Sequence, residues 1–159
     1  MTENHELIKV FYQAFQNRDF QTMQNCYSDH AVFNDEVFVD LDAKHVRAMW
    51  EMFCVQGRNL QIEFSDIIAD EQKGSASWKA NYTFSKTGQN VTNHIQANFC
   101  FSNGKIVKHT DRFNFYNWTK QALGITGFLL GWTSFLKNKV RKEGLNSLTN
   151  YMNTNHTKI

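Results

Sequence analysis

The chain contains no proline and only three cysteines, and both shortages limit what it can form. Without proline, turns must be built from Gly, Asn, Asp and Ser, and no helix can be kinked at a proline ring. The cysteines, Cys26, Cys54 and Cys100, are odd in number and include no C-x-x-C pair. This pattern argues against a disulfide framework or a zinc site, so we expect reduced thiols buried as small apolar side chains.

A surplus of charge of one sign is also lacking. The 17 Lys and Arg residues nearly balance the 15 Asp and Glu residues, which gives a formal charge of +2. No basic stripe interleaved with aromatics occurs in the first two thirds, so nucleic acid is not an expected partner. Phosphate-loop, dinucleotide-binding and G-x-S-x-G motifs are absent from the sequence, so no cofactor is implied.

Long apolar runs are missing as well. The N-terminus is polar and carries no hydrophobic region typical of a signal peptide, which favours a cytoplasmic protein. The most apolar stretch, residues 123–132, is interrupted by glycines and falls short of the roughly 20 residues that a spanning helix needs. We expect the tail, residues 119–159, to be a C-terminal helical extension that packs on the domain or on a partner subunit. A helix lying on a membrane surface is the less favoured alternative.

Aromatic residues are what the chain has in abundance, including 14 Phe, and they favour a thick core or a lined pocket. Apolar residues recur with helical spacing over residues 3–16, and Asp19 and Asp42 are placed to cap a second and a third helix. Alternating apolar residues then predict strands, and short turns between them predict an antiparallel meander. Helices followed by a meander indicate an α+β fold. The predicted strands cover residues 31–33, 60–68, 77–84, 91–101 and 106–115.

Two aromatic-rich segments, far apart in the chain, each place a carboxylate beside apolar residues and carry the candidate chemistry. The last predicted strand places Val107, His109, Asp111, Phe113 and Phe115 on one face. A histidine and an aspartate among phenylalanines either have buried hydrogen-bond partners or line a cavity in which something binds.

The second segment is residues 26–35, which ends in Asp35. That aspartate either caps a turn or is a desolvated carboxylate with a raised pKa that acts as a base. Asp35, His109 and Asp111 could also form a metal site, but no repeated ligand spacing supports one, so we expect no metal.

Residues 11–19 and 26–35 resemble the opening of the nuclear transport factor 2-like superfamily. Residues 104–114 are similar to the last pocket strand of its SnoaL-like polyketide cyclase and limonene epoxide hydrolase branches. The resemblance covers residues 7–118 and implies a cone domain over residues 1–118, in which a curved antiparallel sheet wraps around the N-terminal helices and encloses an apolar pocket. This superfamily includes isomerases, cyclases, hydrolases, dehydratases and non-catalytic binding domains, so the fold does not fix the reaction.

The resemblance also assigns individual residues. Asp35 falls where ketosteroid isomerase has its general-base aspartate, but the two positions of its oxyanion-hole donors hold Phe11 and Ala97. Tyr12 stands beside Phe11 and is expected to point elsewhere. Asp111 falls where the epoxide hydrolase and the cyclases keep a pocket aspartate.

The other two positions of the hydrolase triad hold Trp78 and Ala80, so that triad is broken as well. What remains is a candidate catalytic set in which Asp35 is the base, Asp111 is the acid, and His109 tunes or replaces one of them.

Two functional hypotheses follow. One is a small cofactor-independent enzyme of the isomerase, cyclase or hydrolase type that acts on an apolar substrate by proton transfer. The other is a non-catalytic dimeric domain that binds a hydrophobic small molecule or a partner. The resemblance implies a homodimer through the outer face of the sheet. The residues expected to line the pocket are Phe11, Tyr12, Phe33, Trp50, Trp78, Tyr82, Ala97, Phe99 and Phe113.

Overall fold

The structure, a computed structural model, describes residues 2–156. Within these residues, three N-terminal helices and a meander of strands precede three C-terminal helices. The helices are α1 (Glu3–Gln16), α2 (Phe20–Asn25), α3 (Ala43–Gln56), α4 (Phe115–Leu123), α5 (Ile125–Leu130) and α6 (Ser134–His156). The strands are β1 (Tyr27–Asn34), β2 (Leu41–Asp42), β3 (Arg58–Ala69), β4 (Lys73–Phe84), β5 (Gln89–Ser102) and β6 (Lys105–Arg112).

The six strands form one sheet in the order β2-β1-β6-β5-β4-β3. The predicted antiparallel meander is confirmed for β3 to β6, which are joined by short hairpins. The sheet as a whole is mixed, however, because β1 runs parallel to β6, with Phe33 opposite His109. Turn signals predict pairing only between strands that a hairpin joins, and β1 reaches β6 through α3 and the entire meander. The α+β class is confirmed, and the wholly antiparallel sheet is corrected to a mixed one.

Side-chain caps begin the helices where the sequence predicts them. Asp19 Oδ1 accepts a hydrogen bond from the Thr22 amide at 3.0 Å, and Asp42 Oδ1 accepts one from the His45 amide at 2.9 Å. These caps satisfy amide groups that have no partner within the helix. Helices α1 and α3 then bury their apolar faces against the sheet, and the resulting core holds most of the aromatic side chains.

The last strand differs from its prediction in two ways. Cys100 pairs with Lys108 while Phe101 pairs with Ile106, so Val107 is an extra residue in a β-bulge. The bulge turns Ile106, rather than Val107, to the buried face that His109 and Asp111 occupy.

The strand also ends earlier than predicted, at Arg112. Phe115 is the first residue of α4 instead of a strand residue, because the Asn114 side chain accepts a hydrogen bond from the Asn117 amide at 2.9 Å and caps that helix. The five-residue face predicted for this strand is therefore wrong at Val107 and at Phe115.

The C-terminal helices pack on the cone. The Trp118 indole of α4 donates to the Tyr82 hydroxyl at 2.7 Å, and Leu148 of α6 is fully buried in the main core. Helix α4 spans the predicted division at residue 118, and that division remains a prediction. No helix within residues 2–156 is long and apolar enough to cross a membrane.

Helix α5 lies unusually close to α4 because glycine stands at the contact. A Cβ atom added at Gly127 would lie 1.9 Å from the Thr119 carbonyl oxygen, which is far inside van der Waals contact. We expect Gly127→Ala to lower the free energy of unfolding by about 2 kcal/mol, because α5 must shift away from α4. Chemical denaturation measures this, with Thr126→Ala on the exposed side of α5 as the control. Equal stability of the two variants would contradict the tight contact.

Candidate functional site

A cavity of about 580 Å³ opens between the sheet, α3 and the C-terminal helices. Its walls are largely apolar, and two carboxylates, Asp35 and Asp111, interrupt them on the strand side. Asp35 follows β1 and Asp111 lies near the end of β6, so the parallel pairing of these two strands brings both residues to the same end of the sheet. Helix α6 contributes Leu136, Lys139 and Val140 to the opposite wall.

Five of the nine residues predicted to line the pocket border this cavity, and four do not. Those that border it are Phe33, Trp50, Trp78, Tyr82 and Phe113. Phe11, Tyr12, Ala97 and Phe99 are buried in the core instead. Helix α1 covers this part of the sheet and fills the space, as the edge-to-face contact of Tyr12 with Phe99 shows. Strand alternation identifies which side chains face inward, but it does not tell a filled interior from an open one.

Asp35 both caps a turn and borders the cavity. Its Oδ1 accepts hydrogen bonds from the backbone amides of Val37 at 2.7 Å and Phe38 at 2.5 Å. Among the described residues, Oδ2 has no partner. Desolvation outweighs these two hydrogen bonds and, together with the negative charges of Asp111 and Glu36, raises the pKa of Asp35 to about 7. Asp35 therefore combines the two roles that the sequence offered as alternatives, a turn cap and a desolvated carboxylate with a raised pKa.

Asp111 stands at the end of a chain of buried hydrogen bonds. The Trp50 indole donates to the Tyr27 hydroxyl at 2.9 Å, and that hydroxyl lies 2.6 Å from His109 Nδ1. His109 Nε2 lies 2.9 Å from Asp111 Oδ1, which Trp78 Nε1 also approaches at 3.4 Å.

An indole N–H can only donate, so the Tyr27 hydroxyl accepts the hydrogen bond from Trp50. Tyr27 and Asp111 thus hold the two ring nitrogens of His109 from opposite sides. These contacts fix the orientation of the imidazole ring and, through it, that of the Asp111 carboxylate.

His109 does not border the cavity. It is completely buried behind Asp111 and packs edge-on against Phe33 and Phe11. A histidine without access to the cavity cannot touch a ligand there, so His109 meets the cavity only through its contact with Asp111.

Tyr27 is the member of this hydrogen-bond chain that the sequence did not single out. It lies at the start of β1 and opposes Ile106 of β6, which places its hydroxyl beside His109. The sequence could have pointed to Tyr27 only through chemistry, because a buried tryptophan and a buried histidine, here Trp50 and His109, both need hydrogen-bond partners. Spacing alone could not reveal it, since the two partners lie 23 and 82 residues away in the chain.

Tyr12 presents the opposite case. Its hydroxyl is buried and has no hydrogen-bond partner among the described residues. Its pKa is raised well above the usual tyrosine value, first by desolvation and then by the charges of Asp111 and Tyr27. The ring stacks on Phe64, so Tyr12 contributes packing without a paired polar group.

The cysteines are free, as predicted, and Cys26 and Cys54 are buried. Burial raises the pKa of each of these two thiols to about 11, so both stay protonated and unreactive near neutral pH. Within residues 2–156, no three His, Cys, Asp or Glu side chains are grouped so that they could hold a metal ion.

The family model described as SnoaL-like domain matches residues 8–109 of the chain. A limonene-epoxide-hydrolase-like (LEH-like) epoxide hydrolase from M. tuberculosis shares 21% sequence identity, covers 80% of this chain and 96% of its own, and superposes with a TM-score of 0.62. A putative polyketide cyclase from Pseudomonas putida KT2440 shares 21% identity, with 76% and 98% covered and a TM-score of 0.63. TsrD from Streptomyces laurentii shares 13%, with 76% and 94% covered and a TM-score of 0.64.

At these identities the solved structures show a common fold and nothing about the reaction. None of the curated proteins matches the sequence significantly.

Proposed function

Because the chain belongs to the SnoaL-like domain family, we propose that it is a cofactor-independent acid–base enzyme acting on an apolar small molecule. One observation carries the proposal: Asp35 and Asp111 border the same cavity in different surroundings. Two titratable groups with different surroundings in one pocket are the usual basis for dividing acid and base roles.

The surroundings favour a division of roles opposite to the one expected from the sequence. Asp35, whose pKa burial raises to about 7, retains a proton in about half of the molecules at neutral pH and can act as the acid. Asp111 Oδ1 receives N–H groups from His109 and Trp78, which complement a carboxylate and suit the base. Asp111 Oδ2, which has no partner in the described chain, is left for the substrate.

The proposed step is a balanced proton transfer. In the isomerase type, Asp111 removes a proton from a carbon beside a carbonyl group while Asp35 protonates the carbonyl oxygen; Asp111 then returns its proton to a conjugated carbon of the enol, and the enol hydroxyl returns its proton to Asp35. In the cyclase type, the enol carbon instead bonds to a second carbonyl carbon of the substrate, whose oxygen takes the proton from Asp111. In the hydrolase type, Asp111 removes a proton from water, the water oxygen bonds to an epoxide carbon as the ring C–O bond breaks, and Asp35 protonates the released oxygen; solvent then restores the proton on Asp35 and removes the one on Asp111. This chemistry covers reactions of the isomerase, cyclase and hydrolase types. Tyr27 and His109 do not exchange protons with the substrate; they hold Asp111 in the orientation that the transfer needs.

The cavity's dimensions and walls support an apolar substrate. A volume of about 580 Å³ lies in the range of pockets that enclose a drug-sized molecule. Phe33, Trp78 and Phe113 form apolar walls, so binding would be driven by removal of apolar surface from water.

We expect Asp111→Asn to lower turnover by roughly 10²- to 10⁴-fold, because acid–base groups typically contribute that much, and to change ligand affinity little. A thermal-shift screen of apolar ketones, enones and epoxides would identify ligands, and steady-state kinetics would then be measured on those that bind. Asp40→Asn is the matched control, since Asp40 is exposed on the loop that follows Asp35 and does not border the cavity.

Unchanged turnover in Asp111→Asn would refute the assignment of the base. Ligands that bind the wild type without turnover in any of the three substrate classes would favour the second candidate function instead.

That second candidate is non-catalytic binding of a hydrophobic ligand. It is supported by Phe11 and Ala97, which are buried and bring no hydrogen-bonding side chain to the two positions where ketosteroid isomerase has its donors. Trp78 and Ala80 likewise bring neither an arginine nor an aspartate to the two remaining positions of the hydrolase triad. A homodimer through the outer face of the sheet remains a prediction under either function.

A further inference from the structure

Helix α5 and the beginning of α6 expose a group of large apolar side chains that we name the apolar patch. The most exposed are Ile125 at 80%, Trp132 at 76% and Phe135 at 72%. Monomeric proteins rarely leave so many large apolar residues together in water. The members of the patch are Ile125, Phe128, Leu129, Leu130, Trp132 and Phe135.

The local packing directs this patch outward. Gly127 of α5 is buried against the backbone of α4, and a Cβ atom at Gly131 would lie only 2.1 Å from Thr119 Oγ1. An amphipathic helix normally turns its large apolar side chains to the core and its small or polar ones to water. Helix α5 does the reverse, because its glycines make the contact with the protein. Any rotation that buried the large side chains would lose this close contact.

The patch is accompanied by an excess of cations. Residues 112–142 contain six Lys and Arg residues and no Asp or Glu, although Lys137 pairs with Glu36 at 2.6 Å and Glu143 follows Lys142. On α6, Lys139 and Lys142 are exposed and follow Phe135 by four and seven residues, so the three side chains lie on one face of the helix. On the other side, Lys120 lies 4.8 Å from the centre of the Tyr116 ring, whose hydroxyl donates to the Phe128 carbonyl at 3.0 Å.

We propose that the apolar patch docks the protein on the surface of a bilayer that contains anionic phospholipid. Trp and Phe side chains at the level of the headgroups, with Lys residues beside them, are the composition that binds such interfaces. The lysines are attracted to the negative surface of such a bilayer. The protein lies on the bilayer and does not cross it, in keeping with the absence of a spanning helix within residues 2–156.

The charges favour a bilayer over a second copy of the chain as the occupant. A two-fold dimer would place the same patch on both sides of the interface. The exposed Lys139 and Lys142 of one copy would then approach those of the other, while the adjacent Glu143 already pairs with Lys86 of its own copy at 3.1 Å. An anionic lipid surface removes that repulsion.

The patch adjoins the cavity. Thr126 of α5 and Leu136 of α6 border the cavity, and their chain neighbours Ile125 and Phe135 belong to the patch. An apolar substrate dissolved in the bilayer would therefore have a short path to Asp35 and Asp111. This consequence rests on the proposed function, whereas the docking itself does not.

Vesicle co-sedimentation of the full chain tests the docking. Vesicles of phosphatidylcholine alone are compared with vesicles that also contain about 30% phosphatidylserine, at about 0.1 M and about 0.5 M salt. The test variant carries Phe128→Ser, Trp132→Ser and Phe135→Ser. The matched control carries Val55→Ser and Ile68→Ser, which replace exposed apolar residues on α3 and β3. Circular dichroism establishes that both variants are folded.

We expect the wild type and the control to bind the anionic vesicles with equal affinity, the higher salt to weaken binding, and the triple variant to bind roughly tenfold or more weakly. The tryptophan emission of the wild type should shift to shorter wavelength on binding, because Trp132 enters the interface. No sedimentation of the wild type with either vesicle, or equal binding by the triple variant, would overturn the proposal.

Light scattering without lipid measures the oligomeric state and gives a further result that could overturn the proposal. A wild-type dimer that becomes a monomer in the triple variant would identify the patch as a self-association surface instead. None of these measurements of vesicle binding, tryptophan emission or oligomeric state requires turnover, so their outcome is independent of the test of catalysis.

Discussion

Asp35→Asn is expected to stabilise the protein by about 2–4 kcal/mol at pH 8.5 and by less than about 1 kcal/mol at pH 4. Asparagine resembles the protonated carboxyl group in shape and keeps the Oδ1 acceptor for the amides of Val37 and Phe38. It cannot take the negative charge that the cavity disfavours. The variant therefore removes the cost of ionisation and retains the turn.

The pH window follows from the direction of the shift. Burial raises the pKa of Asp35 in the folded protein to about 7 from 3.8, so between these values the folded state binds a proton that the unfolded state has released. Its contribution to stability is fully present below about pH 4 and is lost as the pH rises through about 7. In Asp35→Asn this contribution no longer depends on pH.

Urea denaturation of both proteins across this range measures the difference, with Asp40→Asn as the control. The exposed Asp40 should give a difference within about 0.5 kcal/mol at every pH. An Asp35→Asn variant that is less stable than the wild type at pH 8.5 would show that the turn depends on a charged acceptor and that the cavity tolerates the charge.

Tyr27→Phe is expected to destabilise the protein by about 2–4 kcal/mol, because two buried groups lose their partner at once. The Trp50 indole N–H and His109 Nδ1 both hydrogen-bond the Tyr27 hydroxyl. The site is buried, so solvent water cannot take the place of the lost hydroxyl. Loss of this hydroxyl also removes one of the two hydrogen bonds that hold the imidazole ring, so the orientation of Asp111 should loosen.

Tyr12→Phe provides a matched control within the same core. Both tyrosines are buried, but the Tyr12 hydroxyl has no hydrogen-bond partner in the described chain. Its removal should change stability by no more than about 1 kcal/mol, and favourably if at all, because a desolvated and unpaired hydroxyl is lost. Equal destabilisation by the two substitutions would contradict the hydrogen-bond chain as described.

Much of the fold was accessible from local sequence signals. The caps at Asp19 and Asp42 and the hairpins of the meander depend on residues close together in the chain, and the structure confirms them. The parallel pairing of β1 with β6 depends on the whole path between them. The bulge at Val107 shows the same limit, since a single extra residue reverses the faces of a strand without a sequence signal of its own.

The candidate site divides in the same manner. Asp35 and Asp111 could be picked out because carboxylates among aromatics are unusual in a core. Their shared cavity could not be predicted, since it depends on the parallel strands and on α6 as the far wall. Phe11 and Phe99 were expected at the pocket, but α1 fills their side of the sheet. The alternation of apolar residues along a strand shows which side chains face inward, but it does not show where a helix packs against them.

The most direct test is a titration of the Asp35 carboxyl group monitored by carbon-13 NMR, with Asp35→Asn to identify its signal. We expect a midpoint near pH 7, because the cavity desolvates this carboxylate more strongly than two backbone amides stabilise it. A midpoint near the ordinary value of about 4 would mean a solvated turn-capping carboxylate, and the proposed acid of the reaction would be lost.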